Sequence, residues 1–205
     1  GGPLPAPGFT TVLWQTMAMQ SELLSVPDIR ALAESTLREN GCDEDNAAAV
    51  ARTVAAAERD GAESHGLFRI PGYVAALRSR RVRGDARPKL RQVTPAFLHV
   101  DGDHGFAPLA LETGIVELAR ITRSLGIGVM SVTDSFHFAA LWPEVEALAA
   151  EDLAGIACVN YAAVMAPHGG TRPIFGTNPI AYAWPRRDAP PLVADMATSA
   201  TARGE

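Results

Sequence analysis

After residue 25 the apolar positions fall at helical spacing. Ile29, Leu32, Ala33, Thr36 and Leu37 recur three and four apart, the mark of a helix with one buried stripe. Ser25-Val26-Pro27-Asp28 predicts its start: a hydroxyl cap, proline in the first turn and an acid three residues on. Asn40-Gly41 predicts its stop. A second, alanine-rich helix is expected from Asp43 to about Asp60-Gly61. A third places Tyr73, Val74 and Leu77 on one face. Beyond residue 95 the pattern shortens. Ala96 to Val100, Ile127 to Val132, Leu153 to Val159, Ile180 to Trp184 and Leu192 to Ala194 read as strands, with 153–159 expected to be buried. Helices are expected from about Pro108 to Leu125 and from Pro143 to about Glu151. Tyr161 to Asn178 is a Gly/Pro-rich loop of a length that usually carries function. The chain thus divides into a Pro/Gly-rich start (1–25) expected to be disordered or extended, a helical region (26–95) and a mixed α/β region (96–205).

Composition narrows the class without naming a function. The 205 residues are 47% hydrophobic and 20% charged, with a net charge of −5 and a pI near 5.5. That balance argues against nucleic acid as the main partner. Arg78-Ser79-Arg80-Arg81-Val82-Arg83 is basic, but a solvated helix end explains it. No apolar run reaches the ~18 residues of a membrane span, and the first residues lack the positively charged n-region before an apolar stretch that a secretory signal is expected to show. Cys42 and Cys158 set no disulfide framework; Cys158, in an apolar run, is expected to be buried, and the usage fits a reducing cytoplasm.

The densest chemistry lies in Ser64-His65-Gly66-Leu67-Phe68-Arg69-Ile70-Pro71-Gly72-Tyr73. An imidazole exchanges a proton near neutral pH, and a guanidinium clamps a carboxylate with paired hydrogen bonds. Together they suit proton transfer on a small anionic substrate. Plainer roles stand beside this one: Ser64 as a helix cap, His65 as a capping histidine, Arg69 paired with Glu63 or another surface acid. His137 lies in Ser135 to Leu141, just past a strand's C-terminal end, where ligands of α/β sheets collect. Ala139 and Ala140 there would let backbone approach a phosphate or ribose, and a packed aromatic loop is the alternative. Gly176 to Pro179 and Asp195 to Ser199 are small polar loops at strand ends. His99 reads as structural, His104 as part of the Asp101-Gly102-Asp103 turn, and His168 as loop or site. No histidine spacing or cysteine pair supports a metal. Gly126-Ile127-Gly128 is not a Rossmann fingerprint: it follows a helix, opens a strand and has Ser131 in the third glycine's place.

In this order, Ser64-His65-Gly66, Ser135 to Leu141, Pro167-His168-Gly169-Gly170, Phe175 to Pro179 and Asp195 to Gly204 resemble the type-2 malate/L-lactate dehydrogenase family, over Val26 to Glu205. The resemblance implies NAD(P)H-dependent oxidoreductase activity on an α/β, non-Rossmann mixed sheet with flanking helices, preceded by the small helical region. Ser64 to Tyr73 and His137-Phe138-Ala139-Ala140-Leu141-Trp142-Pro143 are similar to the Δ1-piperideine-2-carboxylate/Δ1-pyrroline-2-carboxylate reductases. Many malate and lactate members have glycine at Ala139, and lysine where this chain has Glu205.

What the resemblance implies is positional. Ser64, His65 and Glu205 would form a proton relay. Arg69 would bind the substrate carboxylate, and Thr177 would touch the substrate. His137, Phe138, Ala139, Ala140, Leu141, Asp195, Met196, Ala197, Arg203 and Gly204 would contact the cofactor, NADPH by the nearer resemblance and NADH otherwise. The partner would be a small carboxylate, in a homodimer, without nucleic acid or membrane. Two departures stand out: Glu205 is one methylene longer than the matching aspartate, and Arg203 replaces a histidine of the reductases. Members of the family run on past this point. A polypeptide ending at Glu205 would be expected to bind cofactor weakly or not at all. A malate- or lactate-type 2-hydroxy-acid dehydrogenase and a non-catalytic truncated remnant are the alternatives.

Overall fold

The computed structural model describes residues 23–136 and 139–199. The chain opens with two helices, α1 (Val26–Glu39) and α2 (Glu44–Arg59). The Ser25 hydroxyl accepts the Asp28 N–H at 3.3 Å and donates to its carboxylate at 2.6 Å. Asp43 caps α2 by accepting the Asn46 N–H at 3.0 Å. Burial raises the Asp43 carboxyl pKa, but its bonds to Asn46 and the Arg87 guanidinium outweigh this and hold it below its ordinary value. Two 3₁₀ turns, Glu63–His65 and Leu67–Arg69, lead into α3 (Ile70–Arg78). Leu37, Val50, Val54, Tyr73 and Leu77 form the core of this helical part, which Phe106 completes from the next segment.

The first sheet has the order β1-β2-β3: β1 (Lys89–Thr94), β2 (Phe97–Asp101) and β3 (Val129–Thr133). β1 pairs antiparallel with β2, and β2 parallel with β3. Between β2 and β3 runs α4 (Ala107–Leu125), closed by Gly126 in the left-handed region at φ 81°. α4 crosses the inner face at Gly114, where a Cβ would sit 2.2 Å from Met130 Sδ and 2.9 Å from Val100 Cγ2. α5 (Trp142–Ala149) precedes the second sheet, β4-β5-β6, which is antiparallel throughout: β4 (Gly155–Cys158), β5 (Ile180–Arg186) and β6 (Ala189–Met196). Its inner face packs Ala181 and Ala183 against Leu141, Val145 and Ala149.

Three expectations need correction. β1 lies within the stretch expected to be helical, so the first sheet begins at Lys89. All six of its residues are exposed, and a bulge between Gln92 and Thr94 breaks their alternation. The strand expected to be buried at 153–159 is β4, and it is buried on one side only: Ile156 is 76% exposed and Cys158 is exposed. The arginine run is more than a solvated helix end. Arg83 bonds Asp103 at 2.8 Å, Arg81 lies over the Phe136 ring at 5.6 Å and Arg78 bonds Asn40 at 3.0 Å. No described helix is long and apolar enough to cross a membrane.

Candidate active site

The Ser64–His65 pair sits in the 3₁₀ turn where the chain leaves α2. Gly66 follows because Glu58 occupies the space of a side chain there: a Cβ would fall 2.1 Å from Glu58 Oε1. The same oxygen accepts the Leu67 N–H at 2.6 Å, fixing the second turn to α2. Ser64 does not cap a helix; its Oγ lies 2.9 Å from His65 Nδ1. The His65 ring stands edge-on to the Trp142 indole, 6.5 Å between centroids at 71°.

Trp142 opens α5 and is held from both sides. Its indole N–H donates to Asp60 Oδ2 at 3.0 Å, and its backbone N–H donates to Asp195 Oδ2 at 3.1 Å. Asp195 also accepts the Leu141 N–H at 2.7 Å, so a carboxylate from β6 sits on the positive end of α5. Arg59 binds both Asp60 oxygens at 2.7 Å and reaches Glu146 at 3.5 Å. The Arg59 bonds, with the Trp142 N–H, hold the Asp60 carboxyl below its ordinary range despite some desolvation.

Arg69 is half-buried at the start of α3, its guanidinium 5.9 Å from the Phe68 ring centroid. One turn on, burial pushes the Tyr73 phenol well above its ordinary pKa, and the Arg69 charge partly offsets this. Tyr73 meets Phe106 edge-to-face at 5.2 Å, and Phe106 meets Phe136 at 6.1 Å. Thr177 is 8% exposed. Its carbonyl accepts the Thr198 N–H at 3.1 Å, so the 176–179 loop is tied to the chain just after β6.

The structure therefore gathers Ser64, His65, Leu141 and Asp195 around Trp142, with Ala139 and Ala140 on the approach to α5. Met196 is placed differently. It pairs with Ile180, itself opposite Cys158, and so faces the other side of the sheet from Asp195. His137, Phe138, Arg203, Gly204 and Glu205 lie outside the described residues. Trp142 falls in the His137 to Pro143 run, but its bond to Asp60 is not legible in the sequence, because the two residues stand 82 positions apart.

Residues 24–205 match the malate/L-lactate dehydrogenase family. The chain belongs to that family. It is 46% identical over 182 residues to a Δ1-pyrroline-2-carboxylate/Δ1-piperideine-2-carboxylate reductase of Pseudomonas aeruginosa, covering 89% of this chain and 54% of that protein. It is 43% identical to a Δ1-pyrroline-2-carboxylate reductase of Ancylobacter novellus, covering 89% and 53%. Among solved structures, Δ1-piperideine-2-carboxylate reductase from Pseudomonas syringae pv. tomato superposes with a TM-score of 0.87 at 41% identity, covering 90% of this chain and 55% of that one. Malate dehydrogenase from Pyrococcus horikoshii gives 0.82 at 29%, covering 88% and 52%. The chain spans about half the length of the curated relatives it matches.

Proposed function

We propose that this chain serves an NADPH-dependent reductase of cyclic imino acids, converting Δ1-piperideine-2-carboxylate to L-pipecolate and Δ1-pyrroline-2-carboxylate to L-proline. The observation that carries this reading is the Ser64–His65 pair turned onto Trp142, in a chain 41–46% identical to reductases named for those imines. A reduced nicotinamide supplies the hydride when bound. The local shape supports such a group: the 139–141 loop and the end of β6 are joined through Asp195 into one edge beside the imidazole, and Ala139 and Ala140 keep it low. Ala139 to Leu141, Asp195 and Ala197 would hold the cofactor, with His137, Phe138, Arg203 and Gly204, whereas Met196 lies on the other face. Mixed strand directions and the missing glycine fingerprint favour a non-Rossmann mode of binding.

The remaining chemistry belongs to side chains. Arg69 clamps the substrate carboxylate and so orients C2. With Nδ1 engaged by Ser64 Oγ, His65 delivers a proton from Nε2 to the ring nitrogen as C2 is reduced. Glu205 extends the relay, Thr177 lines the substrate, and a second copy completes a homodimer. Two free thiols, Cys42 and Cys158, suit a cytoplasmic setting.

Oxidation of NADPH in the presence of Δ1-piperideine-2-carboxylate, pyruvate or oxaloacetate tests the reading. The imine is expected to be the preferred substrate. Preference for a keto acid would replace it with a 2-hydroxy-acid dehydrogenase, like the malate dehydrogenase at 29% identity. His65→Ala should lower turnover by ~100- to 10,000-fold with cofactor affinity little changed. Unchanged turnover would remove His65 from the mechanism.

A further inference from the structure

We infer that Trp142 is a positioning residue for His65: its indole locks the imidazole plane while Asp60 holds the indole N–H and Asp195 anchors the Trp142 backbone. The inference rests on His65 being the proton donor proposed above. It adds the part of the fold that aims it.

His65 is on a short 3₁₀ turn, a poor platform for an acid that must reach one ring nitrogen. Ser64 bonds one ring nitrogen, and any single hydrogen bond by itself permits rotation of the ring plane about it. An edge-to-face neighbour removes this freedom, because the positive edge of one ring seeks the negative face of the other. Trp142 supplies that neighbour at 6.5 Å and 71°. Trp142 is itself held at the indole and at the backbone. Asp60, five positions before His65, takes the side-chain N–H, and Asp195 at the end of β6 takes the backbone N–H. Trp142 thus brackets the 60–65 segment at its first and last residues. Arg59 repeats the contact one turn along α5 through Glu146.

A residue that merely filled this seam could be any large apolar side chain. Trp142 instead uses its indole N–H, its ring and its backbone, each toward a different residue. Asp195 acquires a second role here. It ties the cofactor edge to the residue that orients the acid, so the order of one is transmitted to the other.

The test is the full chain carrying Trp142→Leu or Trp142→Phe. His65 ring protons are followed by NMR and assigned with His65→Asn. In the parent protein they should lie away from solution positions because of the indole ring current. Leucine should return them to solution positions. Phenylalanine keeps a ring and should leave them displaced. With NADPH and Δ1-piperideine-2-carboxylate, leucine should lower kcat about tenfold at nearly constant KM, as expected for a misaimed acid, and phenylalanine, which keeps a ring but cannot bond Asp60, should recover only part of it. Unmoved His65 resonances in Trp142→Leu, or equal loss of kcat in both variants, would overturn the inference. Should leucine prevent folding, solution-like His65 resonances in Trp142→Phe would overturn it alone. A parent protein inactive on the imine would sink the functional reading instead. The ring-proton comparison would still decide the role of Trp142.

Discussion

The two sheets have the same number of strands and opposite outer faces. On β1-β2-β3 the paired rows read Lys89–Asp101–Thr133 and Arg91–His99–Ser131, with Thr94–Phe97–Val129 at one end, a largely polar surface. On β4-β5-β6 they read Cys158–Ile180–Met196, Ile156–Tyr182–Ala194 and Trp184–Leu192, uncharged until Arg186–Ala189 at the hairpin end. Trp184 is 63% exposed. A strand apolar on both faces is the pattern of a layer covered on both sides, and here α5 covers one. The sheets also differ in attachment. The first joins the helical part through buried Phe106 packed on Tyr73, backed by the Arg83–Asp103 pair. The second joins it at the start of α5 through Arg59, Asp60, Trp142 and Glu146. One seam is a core extended; the other is a polar clamp beside the candidate active site.

Thiol chemistry gives the largest contrast. Burial, with the Asp43 charge, pushes the Cys42 thiol up to about 12, and thiolate is the reactive form. Cys158 is exposed on the apolar face. A neutral thiol reagent at mild pH should therefore label one cysteine per chain quickly and the other only on unfolding. Mass mapping identifies which. Protection of Cys158 in the native protein would mean that its face is covered in solution.

Core truncation comes next. Leu98→Ala, at a fully buried position on the first sheet's inner face, should cost ~2–5 kcal/mol in urea unfolding. Leu192→Ala, 53% exposed on the second sheet's outer face, should stay within ~0.5 kcal/mol. A Leu192 loss as large as that of Leu98 would erase the distinction between the two faces.

That distinction also explains what the sequence could and could not tell. The helices were legible because capping chemistry and apolar spacing are local: Ser25, Asp43 and Gly126 all stand where those rules put them. The apolar run of β4 marks a strand but not its burial on one side only. An apolar run states what a strand requires, while its neighbours decide what it receives. β1 escaped because its pairing on β2 buries none of its residues. In the site, the Ser64–His65 contact is between adjacent residues and was readable. The Asp60–Trp142 bond joins distant segments through single side chains, and neither leaves a periodic trace.

Acid should separate the two seams more gently. The Asp60 carboxyl has a lower pKa folded than unfolded. It therefore stabilises the fold above its unfolded value, near 3.8, and that contribution is lost as pH falls through the lower folded value. Asp103 follows the same direction at the first seam, held down by the Arg87 N–H and by Arg83. The Phe106–Tyr73 contact has no carboxyl to protonate at its centre. Between neutral pH and values below 3.8, amide protection in α5 should fall before protection in β2. Simultaneous loss would show that the clamp contributes nothing separate to holding the second sheet.

The smallest effect isolates the clamp's outer contact. Arg59 and Glu146 approach to 3.5 Å with both side chains substantially exposed, at 52% and 36%. Exposed pairs of this kind are worth ~0.2–1 kcal/mol and are screened by salt. Glu146→Gln should sit at the bottom of that range in urea unfolding, because Arg59 keeps its paired bonds to Asp60. The difference from the parent should vanish in high salt. A loss several times larger, insensitive to salt, would mean that Glu146 positions α5 rather than decorating it. The indole orientation at Trp142 would then depend on both carboxylates along the Arg59 reach, not on Asp60 alone.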